Sequence, residues 1–292
     1  VFVRKEEMIR FVRRTMPELT IHTSEVKENG WDNDILIINE QQVFRFPKTD
    51  RIIDQIKNEC ELLEQLARKK PALQIPRYKL IYERDMFRAV AYPFLSGESL
   101  NEHPVDLRKN PENAQLLGDF LMKLHQIKGS HLPSIHTFRY WLSLFESLRK
   151  KVFTRLHGEE QLAIEDVFTH FLNGYAAFSY KKVPIHGDLS ASNIIFDRAE
   201  YKISGIIDFT DAQMGDPAFD FAGIYWNYGP EYTRKVLSFY QSDESSEEMF
   251  ERIRTFYGLQ PVFHELLHSI ENNEPIDFAQ LKRFMELKQL IL

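Results

Sequence analysis

The chain has one cysteine, Cys60, in 292 residues, which leaves no internal disulfide and no multi-cysteine zinc site and points to a reducing compartment. It also lacks a basic excess. Lys and Arg number 37 against 43 Asp and Glu, a net charge of −6, so holding a nucleic acid by counterion release is not expected. Glycine (12) and proline (13) are too few for a collagenous or disordered chain. No apolar run approaches the roughly 20 residues that span a bilayer, and Val1 to Arg14 is charged throughout, without the apolar stretch of a signal peptide. A cytoplasmic, monomeric protein with neither a membrane nor a nucleic-acid partner is the expectation. What remains is an ordinary core-forming composition, 43% hydrophobic and 27% charged. At this length one large domain or two lobes sharing a cleft is expected.

The hydrophobic pattern changes along the chain. Lys5 to Met16 has helical spacing, and strand-like runs follow at Thr20 to Glu28, Asp34 to Ile38 and Gln42 to Phe46. Arg51 to Leu66 is an amphipathic helix with Ile52, Ile53, Ile56, Cys60, Leu63 and Leu66 on one stripe. Two more alternating runs, Tyr78 to Tyr82 and Phe87 to Tyr92, end at Pro93 and Gly97. From Asn113 the periods are helical, broken by a β island of three short runs: Val183 to Ile185, Ile194 to Asp197 and Ile203 to Ile207.

The most specific segment is His186-Gly187-Asp188-Leu189-Ser190-Ala191-Ser192-Asn193, followed by Asp208-Phe209-Thr210. This is the H-x-D-x-x-x-x-N spacing of a phosphoryl-transfer loop and then a D-F-x metal loop. A hairpin over the two intervening strands is expected to bring Asn193 and Asp208 to its open end, two hard oxygen donors of the kind that Mg²⁺ takes together with phosphate and water. Asp188 is placed to accept a hydrogen bond from an incoming hydroxyl. His186 is expected to fix the loop rather than to transfer protons.

On these residues, and on Gly205 to Ala212 and Gly215 to Asp220, the chain resembles the aminoglycoside phosphotransferase family, small-molecule kinases that share the protein-kinase fold and include aminoglycoside 2''- and macrolide 2'-phosphotransferases. The resemblance implies an α+β, bilobal, protein-kinase-like fold. Its nucleotide-binding lobe, an antiparallel sheet with one helix, would span 1–92, a hinge 93–98, and a larger, mainly helical catalytic and substrate-binding lobe 99–292. It implies Asp188 as the catalytic Asp, Asn193 and Asp208 as Mg²⁺ ligands, and Asp220 as a brace of the catalytic loop, with helix capping as the alternative for Asp216 and Asp220. The nucleotide site would include Gly30, Arg45, Glu59, Tyr92, Phe94, Leu95 and Ile207. Two features depart from the pattern: the loop over the phosphates has the single glycine Gly30, and Arg45 stands where a Lys is usual, with Glu59 as its partner. Leu124-His125 resembles a helix motif of the family, and His125 reads as a core histidine. Tyr92 beside the purine is expected to crowd adenine, so GTP should serve as phosphate donor at least as well as ATP.

For the acceptor, the stretch Phe221 to Gly229 has aromatic residues and no acid around Trp226 to Tyr228. This favours an apolar wall of Trp226 and Tyr228, and the stretch up to Gly229, like Arg45, resembles the macrolide enzymes more than the aminoglycoside ones, so the reading leans to a macrolide. Asp211, Glu231, Glu265 and Glu271 are the carboxylates available to a polycation, Asp211 and Glu231 being assigned to the substrate site with Asp188. A choline or homoserine kinase, and a catalytically weak nucleotide-binding module, are the alternatives.

Overall fold

The computed structural model describes residues 2–27, 33–129, 131–178 and 180–291. The first half of the chain forms α1 (Phe2–Thr15), β1 (Ser24–Lys27), β2 (Asn33–Ile38), β3 (Gln42–Pro47), α2 (Asp50–Arg68), β4 (Lys79–Glu83), β5 (Met86–Pro93), β6 (Glu98–Ser99), α3 (Glu112–His125) and α4 (Phe138–Lys151). The second forms α5 (Gly158–Gly174), β7 (Val183–Ile185), β8 (Ile194–Asp197), β9 (Lys202–Ile206), β10 (Gln213–Gly215), α6 (Ala222–Leu237), α7 (Ser246–Arg252), α8 (Pro261–Glu271) and α9 (Phe278–Gln289). Two compact units result, Val1–Ser99 with Ile194–Thr210, and Leu100–Asn193 with Asp211–Leu292.

In the first unit an antiparallel sheet has the order β1-β2-β3-β5-β4. Alternation along its strands gives it two apolar faces. Leu36, Ile38, Phe44, Ala89 and Ala91 pack on Met8, Phe11 and Val12 of α1. On the opposite face Val90 meets Ile52 and Ile56 of α2, while Ile37, Val43 and Tyr92 cluster with Leu95. The segment Ile194–Thr210 belongs here because β8 pairs with both β6 and β9, and Gln74 exchanges main-chain bonds with Ser204 and Ile206 at 2.9 Å each.

The first strand is shorter than the alternation suggests. Asn39, in the turn after β2 with φ 56°, accepts from the N–H groups of His22 (2.8 Å) and Thr23 (3.0 Å) and donates to the carbonyl of Thr20 (2.7 Å). One side chain therefore takes the backbone groups that a ladder would have used, and pairing begins only at Ser24.

The second unit is mainly helical, around an aromatic core. Trp141 is fully buried, Phe171 stacks on Phe256 with ring centroids 3.6 Å apart, and Phe145 stacks on Phe168 at 4.8 Å. The only sheet among its described residues pairs β7 with β10, a three-residue strand too short to register as an alternating run. No helix among the described residues is long and apolar enough to cross a membrane.

Asn39→Gly keeps the left-handed backbone and removes the three side-chain bonds. Urea unfolding should show a loss of about 1–2 kcal/mol, and an unchanged midpoint would refute the anchoring role.

Candidate active site

The first unit builds a polar cluster under an apolar face. Arg45 lies in register between Ile35 of β2 and Val90 of β5, so it points to the same side as Val43 and Tyr92. It is 3% exposed. Its Nη1 donates to Glu59 Oε1 at 3.0 Å and to the Tyr78 hydroxyl, and its Nη2 donates to Thr210 Oγ1 at 2.7 Å. Tyr78 in turn donates to Glu59, whose Oε1 also accepts the N–H of Phe209 at 3.2 Å. Thr210 Oγ1 donates to Asp208 Oδ1 at 2.7 Å, and Asp208 is held at φ 61°, a left-handed conformation uncommon outside glycine. Burial opposes the charge on Arg45, but Glu59, Tyr78 and Asp208 outweigh it and hold its pKa well above the usual guanidinium value.

Beside this cluster Ile35, Val43, Tyr92, Phe94, Leu95 and Ile207 form one apolar group. Four of the residues expected at the nucleotide, Tyr92, Phe94, Leu95 and Ile207, are thus brought together next to Arg45 and Glu59. Gly30 lies outside the described residues. Tyr78, missed in the sequence, packs its ring 5.2 Å from that of Tyr92. Lys48 pairs instead with Asp34 at 3.4 Å.

In the second unit one carboxylate organises the loop after β7. Asp220 Oδ2 accepts from His186 N–H (2.7 Å) and His125 Nε2 (3.0 Å), and its Oδ1 accepts from Gly187 N–H (3.0 Å). Asp220 is 1% exposed. Burial alone would raise its pKa, yet the hydrogen bond and charge of His125, with His186, lower it. Gly187 is required here: its φ is +82°, and a Cβ would stand 2.1 Å from the carbonyl oxygen of Asp211. Asn193 spends its amide hydrogens on the main-chain oxygen (2.8 Å) and Oδ2 (2.9 Å) of Asp188. Its Oδ1 is thereby left as an acceptor turned away from those bonds. Asp216 caps the turn Pro217–Phe221 and forms a bidentate pair with Arg252 at 2.7 and 2.9 Å. It is therefore a structural residue.

Asp188 opens onto a cavity of about 510 Å³ within this unit. Asp211 and Glu265 add two more carboxylates to its lining, and Trp226, Tyr140, His136 and His264 add rings. Tyr228 and Glu231 do not line it: the Tyr228 hydroxyl donates to Val105 O (3.4 Å) and its ring packs on Tyr232, while Glu231 is exposed. Residues two apart on a helix do not share a face, so Trp226 and Tyr228 cannot form one wall. Burial lowers the pKa of His264, against the pull of Asp188, and lowers that of His136 from 6.5 to about 4. The Tyr140 hydroxyl is pushed up to about 12 by burial and Asp211. His136 and Tyr140 come from an extended segment and α4, and His264 and Glu265 from α8. No local spacing connects them, although Glu265 is visible as a free carboxylate.

Two expectations follow. Glu59→Leu strands a buried guanidinium and should cost about 3–5 kcal/mol, whereas Glu83→Ala, which breaks an exposed pair with Arg14, should leave the unfolding midpoint nearly unchanged. Between pH 6.5 and about 4 the unfolded chain binds a proton that folded His136 refuses. Its contribution to stability is therefore complete above that window and lost as pH falls through it. Replacing His136 with Asn should flatten that part of the stability profile, and an unchanged slope would contradict the burial argument.

Comparisons with known proteins bear on the family and the fold. The pattern described as the phosphotransferase enzyme family matches residues 25–256. A viomycin phosphotransferase from Streptomyces vinaceus is 28% identical over 113 residues, 38% of this chain and 36% of that protein, so the alignment spans little more than a third of the relative's length. Two solved structures share the fold. The GDP complex of wild-type aminoglycoside 2'-phosphotransferase-IIIa superimposes with a TM-score of 0.80 at 22% identity over 99% of both chains. A macrolide 2'-phosphotransferase type I does so with 0.70 at 17% identity, covering 99% of this chain and 97% of that one. The α+β architecture is protein-kinase-like, and the chain belongs to the phosphotransferase enzyme family.

Proposed function

We propose that this chain transfers the γ-phosphate of a nucleoside triphosphate to a hydroxyl of an aminoglycoside-like antibiotic carrying several ammonium groups. The observation that supports this acceptor is the cavity at Asp188, where Asp188, Asp211 and Glu265 gather three carboxylates beside Trp226. A polycation gains from each of them, while a macrolide has a single amino group to offer. The sequence lean to a macrolide rests on the absence of acids around Trp226 to Tyr228 and on the likeness of that stretch and of Arg45 to the macrolide enzymes; the acids at the cavity come from Asp211 and from α8 instead. Burial holds down the pKa of His136 and of His264, which keeps opposing positive charge out of the cavity.

The chemistry is direct in-line transfer. Asp188, held by the two bonds from Asn193, accepts the proton of the attacking hydroxyl and orients its oxygen. Tyr92, Phe94, Leu95 and Ile207 cover the base, and Arg45 supplies positive charge toward the phosphates. Asn193 through Oδ1 and Asp208 through its carboxylate are the oxygen donors we assign to Mg²⁺, each within its own unit. When bound, the ion supplies charge neutralisation on the phosphate oxygens. Tyr92 beside the base is the ground on which GTP is proposed to serve at least equally with ATP.

Asp188→Ala should lower kcat by about a hundredfold to ten-thousandfold with nucleotide affinity little changed. Near-normal turnover would remove Asp188 from this role. Against a panel of aminoglycosides, macrolides and choline, turnover should be confined to the aminoglycosides. It should weaken with added salt and fall further in Asp211→Asn and Glu265→Gln through KM. Salt-insensitive turnover of a macrolide, or turnover of choline alone, would overturn the proposed acceptor.

A further inference from the structure

The helix that carries Trp226 is broken three residues later, and a residue from the last helix repairs the break. Gly229 has φ 79° and ψ −175° within α6 and is followed by Pro230. In an unbroken helix the N–H of residue 230 would bond to the carbonyl of Trp226. Pro230 has no N–H, so that acceptor loses its partner. Asn227 does not replace it, because its Nδ2 donates to Gly223 O at 2.8 Å. Arg283 of α9 does: its Nε and Nη2 donate to Trp226 O at 3.2 and 3.1 Å. A cation on the carbonyl end of a helical segment is also favourable to the segment's dipole. The helix that carries Arg283 is itself fixed, since buried Phe284 packs edge-on against Phe263 of α8 at 5.6 Å, the helix that also bears His264 and Glu265.

We infer that Arg283 is a positioning residue for the acceptor: by gripping the freed carbonyl of Trp226 it fixes the aromatic wall of the Asp188 cavity from α9. This rests on the reading of that cavity as the acceptor site. The guanidinium fork matters because two N–H groups converge on one oxygen; an ammonium supplies a single, less directed contact.

Fluorotryptophan labelling gives a readout that needs no substrate. The chain has three tryptophans, Trp31, Trp141 and Trp226, assignable by single Trp→Phe replacements. In Arg283→Ala the fluorine resonance of Trp226 should shift or broaden while that of buried Trp141 stays in place. With kanamycin as acceptor, KM should rise about fivefold to tenfold, with kcat and nucleotide KM within about twofold of the parent. Arg283→Lys should fall between the two, and it serves as the test variant if Arg283→Ala does not fold. An unmoved Trp226 resonance would overturn the inference, as would a joint disturbance of Trp141 and nucleotide KM, which would mark a general structural role. If the parent enzyme turns over no aminoglycoside, the acceptor reading fails on its own, and the Trp226 resonance still decides the role of Arg283.

Discussion

The buried carboxylate of Asp220 is the constraint on which the second unit's chemistry depends. It receives two consecutive main-chain N–H groups, those of His186 and Gly187, and one imidazole. Two adjacent N–H groups can converge on one carboxylate only if the backbone between them turns sharply, and Gly187 permits that turn. The turn sets where Asp188 emerges, and Asn193 then fixes its carboxylate. His125 completes the arrangement: its Nε2 faces Asp220 and its Nδ1 faces the Tyr240 hydroxyl at 2.9 Å, so no ring nitrogen is left unpaired in the core.

The first unit solves a different problem with the same means. A guanidinium and a carboxylate placed in an apolar interior are stable only when nearly every lone pair and proton is used. Arg45 achieves this by dividing its donors among Glu59, Tyr78 and Thr210, which ties β3, α2, the segment before β4 and the loop after β9 into one network. Glu59 is less completely served, for its Oε2 is buried without a hydrogen-bond partner.

Much of this was legible in the chain because the relevant residues are close together in it. His186, Asp188 and Asn193 lie in one loop, so their spacing carries their relation. Glu59 was read only through the resemblance, although the chain carries a signal for it: it falls between Ile56 and Leu63 on the buried side of α2, and an acid among aliphatics demands a buried partner. The cavity at Asp188 was not legible. Its lining is contributed by β10, α4, α6 and α8, whose meeting depends on aromatic packing around Trp141 and Phe256 that has no local pattern. The pairing of Trp226 with Tyr228 as one wall follows composition where helical geometry rules: two residues apart on α6, they face different sides. The short first strand has a similar origin, since only the fold shows Asn39 capturing residues 20–23.

The phenol of Tyr78 has one further consequence. It stands between Arg45 and Glu59, and burial and Glu59 raise its pKa well above the ordinary phenol value despite the pull of Arg45. Arg45 likewise keeps its proton. Across the range in which proteins work, both groups therefore hold a constant charge, and the electrostatic potential that the two set up between β3 and α2 does not drift with acidity.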